Sequence, residues 1–240
     1  SGAALELQGA RTIGAEALTL NGTGISNGGA LRNIDSNSSW AGAITLGSAS
    51  RINSDANTLT LSGGITGVYG LTFGGAGNVT VSSVIGTGTG TLTKDGAGTL
   101  TLSGVNTYTG LTTISAGTLA YGVSNAIADG SSVTISGGTL NMGTYSDTVS
   151  SVTLTSGAIS GTGTLTSTNG FTMNNTSNTS VTAVLAGSGG LTKTGTGTLT
   201  LSGANTYTGT TTISAGTLAY GANNVISNSS NVTISGGTLN

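Results

Sequence analysis

Residues 94–141 and 193–240 align without a gap at 37 identities in 48 positions, so one block is written twice in a chain of 240. A unit copied within one chain points to a solenoid or an array, in which each copy buries its faces against its neighbours. Length then says little about domain number, because a repeat stack has no size limit of the kind a single core has.

The local pattern is apolar–polar–apolar over three residues, as in Leu59-Thr60-Leu61, Leu71-Thr72-Phe73, Leu100-Thr101-Leu102, Val133-Thr134-Ile135, Val152-Thr153-Leu154 and Val232-Thr233-Ile234. Period two with β-branched residues predicts short strands. Many triplets run through a small-residue turn into a second one, as in Ile135-Ser136-Gly137-Gly138-Thr139-Leu140. Glycine at such bends permits positive φ and close approach of stacked backbones. The one helical candidate, Val123–Ala128, is too short to nucleate alone.

Short strands and glycine turns would also suit a β-sandwich, but paired longer strands flanking tight hairpin turns are missing. A parallel β-solenoid needs what this chain supplies: strands of three to five residues, sharp bends and small outward residues that stack. Proline is absent, as expected where every interior rung donates its N–H to the next coil. At about 20–25 residues per coil the chain makes on the order of ten coils, a rod about 50 Å long. The expected fold is all-β, a parallel β-solenoid with Gly/Ser/Thr turns running continuously over 1–240 as a segment of a longer chain, with 94–141 and 193–240 as near-identical blocks.

Glycine (44) and threonine (47) dominate, histidine and cysteine are absent, and only 12 residues are charged, far below the roughly 25% of ordinary domains. Regularly spaced aliphatics separate this from a flexible linker. Lack of cysteine removes disulfides and thiolate metal sites. A net charge of −2 gives no basic footprint for nucleic acid, and without histidine no Ser/His/Asp triad can be built. No run of 18 apolar residues would span a membrane as a helix. The opening SGAALELQGA lacks the basic start and apolar run of a signal peptide.

Seven of the charges crowd into the opening quarter of the chain: Glu6, Arg11, Glu16, Arg32, Asp35, Arg51 and Asp55. Arg11, Arg32 and Arg51 follow one another at spacings near one coil, and each precedes an acid. The expectation is a surface ion-pair ladder with these three arginines above one another. The sharper alternative is a carbohydrate-cleaving groove using Asp35, Asp55 and Arg51, since inverting glycosidases need two separated carboxylates. Trp40, the single tryptophan, is expected to fill a coil corner, with a sugar platform as the alternative. Lys94 and Lys193 recur in LTKDG and LTKTG, and the expectation is an edge position that blocks lateral strand pairing. The runs Thr87-Gly-Thr89-Gly-Thr91-Leu-Thr93 and Thr194-Gly-Thr196-Gly-Thr198-Leu-Thr200 raise a surface or ice-binding alternative, which wants Thr-x-Thr at the same place in every coil; here that spacing is strongest in two copies, 99 residues apart. The Asp-bearing nonapeptide of calcium solenoids is missing. No catalytic, cofactor-binding or metal residue is assigned.

The unit Gly96-x-Gly98-Thr-Leu-Thr-Leu-Ser-Gly104-x-Asn106-Thr-Tyr-Thr-Gly110, continuing Thr113-Ile-Ser-Ala-Gly-Thr-Leu119, with its second copy at Gly195–Leu218, resembles the autotransporter-associated β-strand repeat of Gram-negative type V secretion passengers. Residues 18–62 look like the passenger sequence that flanks such repeats. The resemblance implies a right-handed parallel β-helix outside the cell, secreted across the outer membrane, in long stalks that project adhesive regions. It implies a non-enzymatic stalk, adhesin or surface-fibre segment, with self-association end to end or with the rest of the passenger, and host-cell or matrix glycans as partners. No C-terminal barrel pattern is present. Asn106 and Asn205, with Tyr108 and Tyr207, would hold equivalent bends.

Overall fold

The computed structural model describes residues 2–240. The chain winds as a parallel β-solenoid whose coils each turn through three faces. On the first face, twelve strands stack in register from Leu5–Leu7 through 31–33, 50–53, 71–74, 92–94, 112–114, 133–135, 152–154, 171–173, 191–193 and 211–213 to Val232–Ile234. The second face runs parallel to it, from 12–13 through 38–40, 58–61, 78–81, 99–102, 118–121, 139–141, 158–160, 179–181 and 198–201 to 217–220 and 238–239. Spacing between successive first-face rungs is nearly constant above the first coil, as in Leu71, Leu92, Thr112, Val133, Val152 and Phe171; the first step, from Leu5 to Leu31, is longer. Eleven steps at about 4.8 Å give the rod of about 50 Å expected from the chain length and the length of a coil.

Alternation along each triplet decides burial. Leu71 and Phe73 point in while Thr72 between them is solvent-accessible, and Val152, Thr153 and Leu154 repeat the arrangement. The interior is a continuous apolar column that includes Leu31, Ile52, Phe73, Ile114, Ile135, Leu154, Met173 and Ile213. Coil edges are close enough to demand glycine at particular bends. A Cβ on Gly98 would stand 1.8 Å from the carbonyl oxygen of Gly77 one coil below.

The third face is discontinuous. Strands at 18–22, 44–46, 65–67 and 85–86 stack at one end, and 147–149, 164–167 and 184–186 form a separate three-stranded sheet. Between them, and again above residue 186, no third-face strand forms among the described residues, and a different device carries the stack. The stretch Val123–Ala128 is not helical; the one helical turn among the described residues is a 3-10 turn at Ile25–Asn27.

Two expectations are corrected. Lys94 and Lys193 are not edge residues: each occupies an inward position, 3% and 0% exposed. The triplet Leu92-Thr93-Lys94 alternates like the others, so the side chain two residues after an inward leucine must also point inward. The arginines likewise do not share a column. Arg32 pairs in register with Asn53, Arg51 with Thr72, and Arg11 precedes the second-face strand.

Candidate functional site

In the first copy the chain leaves the second face at Leu102 and re-enters the first at Thr112. Asn106, buried between, substitutes for a strand with its side chain. Its Oδ1 accepts from the Ile85 N–H at 2.7 Å below, and its Nδ2 donates to the Ala126 carbonyl at 2.6 Å above. Asn205 repeats this with the Leu185 N–H at 2.7 Å and the Val225 carbonyl at 2.6 Å. A primary amide carries both a donor and an acceptor, as a peptide unit does, and so bridges three coils where the third-face strand is missing, beside backbone bonds such as Thr107 N–H to the Ile85 carbonyl at 3.1 Å.

Tyr108, fully buried, follows two residues later. Its hydroxyl shares a hydrogen bond with Thr112 Oγ1 at 2.9 Å, Thr112 reaches Ser131 Oγ at 3.4 Å, and Ser131 donates to the Gly110 carbonyl at 2.6 Å. Tyr207, Thr211, Ser230 and Gly209 form the same chain at 2.7, 3.1 and 2.7 Å. The Tyr207 ring also meets Phe171, with centroids 6.3 Å apart. The expected role of both Asn/Tyr pairs at equivalent bends is what the structure shows; that the amide itself forms the rung was not legible in sequence.

The inward lysines complete the unit. Lys94 Nζ donates to the Gly96 carbonyl and, at 3.5 Å, to that of Ala116, and Lys193 Nζ donates to the Gly195 carbonyl. Burial lowers Lys94 to about 8 and Lys193 in the same direction, because an ammonium loses hydration that carbonyls replace only in part. The unfolded chain therefore holds the Lys94 proton more tightly between about pH 8 and 10.5. The penalty is fully present below pH 8 and is relieved as pH rises toward 10.5. Lys94→Met is expected to raise stability at pH 7 by about 1–3 kcal/mol and to flatten the rise between pH 8 and 10.5, read by urea titrations across pH. A variant less stable than the parent at pH 7 would show that the carbonyl contacts outweigh desolvation.

Asp147 is the buried carboxyl beside this unit. Its Oδ2 accepts from the Ile127 N–H at 2.9 Å, while Oδ1 and the buried Tyr121 hydroxyl have no hydrogen-bond partner within bonding geometry. Burial pushes its pKa up to about 6 and Asp129 adds to the rise; the Ile127 N–H and the nearby Tyr121 pull the other way. The folded state therefore holds this proton more tightly, and stability falls as pH rises from about 4 to 6. Asp147→Asn, which keeps the acceptor for Ile127, is expected to remove that slope and gain about 1–3 kcal/mol at pH 7. A slope unchanged between pH 4 and 6 in the variant would overturn this assignment.

The other sequence candidates are held by structural bonds. Arg32 pairs with Glu6 at 3.0 Å and Asp55 at 2.6 Å, and Asp35 accepts from the Gly9 N–H at 2.8 Å. Arg51 reaches two rungs up to clamp Asp95 with both terminal nitrogens at 2.6 and 2.8 Å. It passes over Gly74, where a Cβ would sit 1.9 Å from its Nη2. Trp40 is 6% exposed in the second-face strand Ser38–Trp40, filling the interior rather than a corner or a surface platform. Concave spaces of about 670 and 360 Å³ lie in the last coils and another of about 360 Å³ in the first; none is lined by Asp35, Arg51 or Asp55. Among the described residues no three carboxylates, histidines or cysteines converge as a metal site, and no helix is long and apolar enough to cross a membrane.

The duplicated element thus begins at the lysine-bearing strand, passes through the asparagine rung and the buried tyrosine, and ends on the strand that stacks above. A comparison with protein families matches residues 92–120 and 191–219, with those limits. Both segments match the passenger-associated-transport-repeat family. They cover about a quarter of the chain, and no curated protein and no solved structure matches it. Each transport repeat contains its own first rung pairing: Leu92–Lys94 stacks on Thr112–Ile114, and 99–102 on 118–121. The second repeat does the same with 191–193 on 211–213 and 198–201 on 217–220. Two such repeats within a parallel β-solenoid fit a segment of an autotransporter passenger.

Proposed function

We propose that this chain is a non-enzymatic structural segment of a secreted passenger, serving as stalk, adhesin or surface fibre on the outside of a Gram-negative cell. The observation that carries the reading is that both transport repeats sit within one in-register stack, separated by coils of the same kind, so that repetition lengthens a rod without needing a new core. Its side chains serve the stack: the amides replace strands, the ion pairs tie coils together, and Arg51 and Asp55, weighed above for carbohydrate cleavage, are held in those ion pairs.

Self-association is part of the proposal. In the last first-face strand the inward residues Val232 and Ile234 are 42% and 52% exposed, against 0% for Ile213 in the same column one rung below. A further coil of the same pattern, from the same passenger or a second copy, would cover them and pair their free backbone edge. Host-cell or matrix glycans are the partners proposed for the adhesive role. Electron microscopy over a concentration series tests this: rods are expected, lengthening in steps as concentration rises. Compact globular particles would overturn the stalk, and a monodisperse short rod at high concentration would overturn end-to-end stacking.

A further inference from the structure

The register of the first face assembles something that no run of sequence displays. The central residue of each first-face triplet stacks on the next to form one unbroken column: Thr72, Thr93, Thr113, Thr134, Thr153, Thr172, Thr192, Thr212 and Thr233. All nine side chains are accessible to solvent. None of their hydroxyls has a hydrogen-bond partner among the described residues. Of the Thr-Gly-Thr runs that stand out in sequence, only Thr93 belongs to this column: 87–93 leads into the first face and 194–200 crosses from the first face to the second.

Three properties restrict what such a face can hold. The column before it, including Thr91, Leu111, Ser132, Ser151 and Thr210, is uncharged, and the column after it carries one charge, Asp95 at a lower rung, which is paired with Arg51. After Asp147 the chain's single charge is Lys193, and that side chain is 0% exposed. An ionic ligand or a charged macromolecule therefore finds no counter-charge along the upper rungs. No aromatic side chain stands in the ladder, and its threonines line none of the three concave spaces described above, so a small sugar finds no stacking platform there. The ladder with its flanking columns is about 38 Å long and about 13 Å wide, about 500 Å², short of the roughly 800 Å² per partner of a stable protein interface.

What remains suited is an extended, neutral surface of hydrogen-bonding groups repeating at short intervals. Threonine is stiff at χ1, so each rung presents a methyl and a hydroxyl in a fixed arrangement, spaced by the backbone at about 4.8 Å. Each hydroxyl can donate and accept, and the methyl beside it displaces loosely held water. We propose that the nine-threonine ladder is a binding face for ordered water, adsorbing the rod to ice. This function is separate from the stalk role and stands or falls without it.

The test is partition of the 240-residue chain into slowly growing polycrystalline ice, with the parent, a ladder variant (Thr113→Lys/Thr153→Lys/Thr192→Lys) and a second-face control (Thr80→Lys/Thr101→Lys/Thr200→Lys). The parent and the control are expected to be enriched several-fold in the ice relative to an inert dye, and the ladder variant to be excluded as the dye is. Circular dichroism checks folding. Should the lysine set fail to fold, Thr→Val at the same three sites keeps the β-branch and removes the hydroxyls, with a fall in ice partition expected. Exclusion of the folded parent, equal partition of parent and ladder variant, or equal loss in the second-face control would each overturn the proposal.

Discussion

Asn106→Ala is expected to lower the unfolding free energy by about 2–6 kcal/mol, because removing the amide leaves the Ile85 N–H and the Ala126 carbonyl without partners in a buried position, and each such group costs about 1–3 kcal/mol. Asn205→Ala should behave alike, through the Leu185 N–H and the Val225 carbonyl. Asn106→Asp should not rescue, because a carboxylate accepts from Ile85 but has nothing to donate to Ala126 and adds a buried charge. Because each coil contacts only its neighbours, the damage should be local, with faster amide exchange at Ile85 and around residues 126–127 and little change at the far end of the rod. Urea titration and hydrogen exchange measure both. A loss under about 1 kcal/mol would mean that water replaces the amide at no great cost, and that the side-chain rung is incidental to the repeat.

Tyr108→Ala is the second large effect, expected at about 3–5 kcal/mol as for other buried aromatics truncated to alanine. Tyr108 is fully buried, and its ring fills the corner that the asparagine rung leaves without a strand. Tyr108→Phe separates packing from hydrogen bonding. It should cost only about 1 kcal/mol, because Thr112 keeps its contact with Ser131 at 3.4 Å. If the phenylalanine variant were as damaged as the alanine one, the polar chain through Thr112 and Ser131, rather than the ring, would be what holds the corner. Tyr207, which also meets Phe171, is expected to show the same order.

The sequence by itself determined the class of fold and its direction of growth. Period-two triplets, bends of small residues, absence of proline and a gapless duplication leave few ways to bury Leu, Ile and Val other than stacking short strands. The offset between the two copies is five coils in the structure, from Thr112 through 133, 152, 171 and 191 to Thr211. The residues that mark the repeat, Asn106 and Tyr108 with Asn205 and Tyr207, were also legible, because a polar and an aromatic residue held constant among glycines and threonines stand out.

Three features were decided by tertiary structure. Lys94 and Lys193 read as surface charges because lysine ordinarily is one; strand alternation alone turns them inward, and carbonyls from the neighbouring bends make that tolerable. The arginines read as a ladder from spacings near one coil, but a longer coil at the start and side chains long enough to cross a rung broke the column, pairing Arg51 with Asp95 two rungs above. The threonine ladder was hidden because its members come only once per coil and similar triplets also serve the other two faces. Local pattern states that a threonine points outward; which face it lies on depends on the summed length of every bend before it. That sum is a property of the wound chain, and only the stacked coils reveal it.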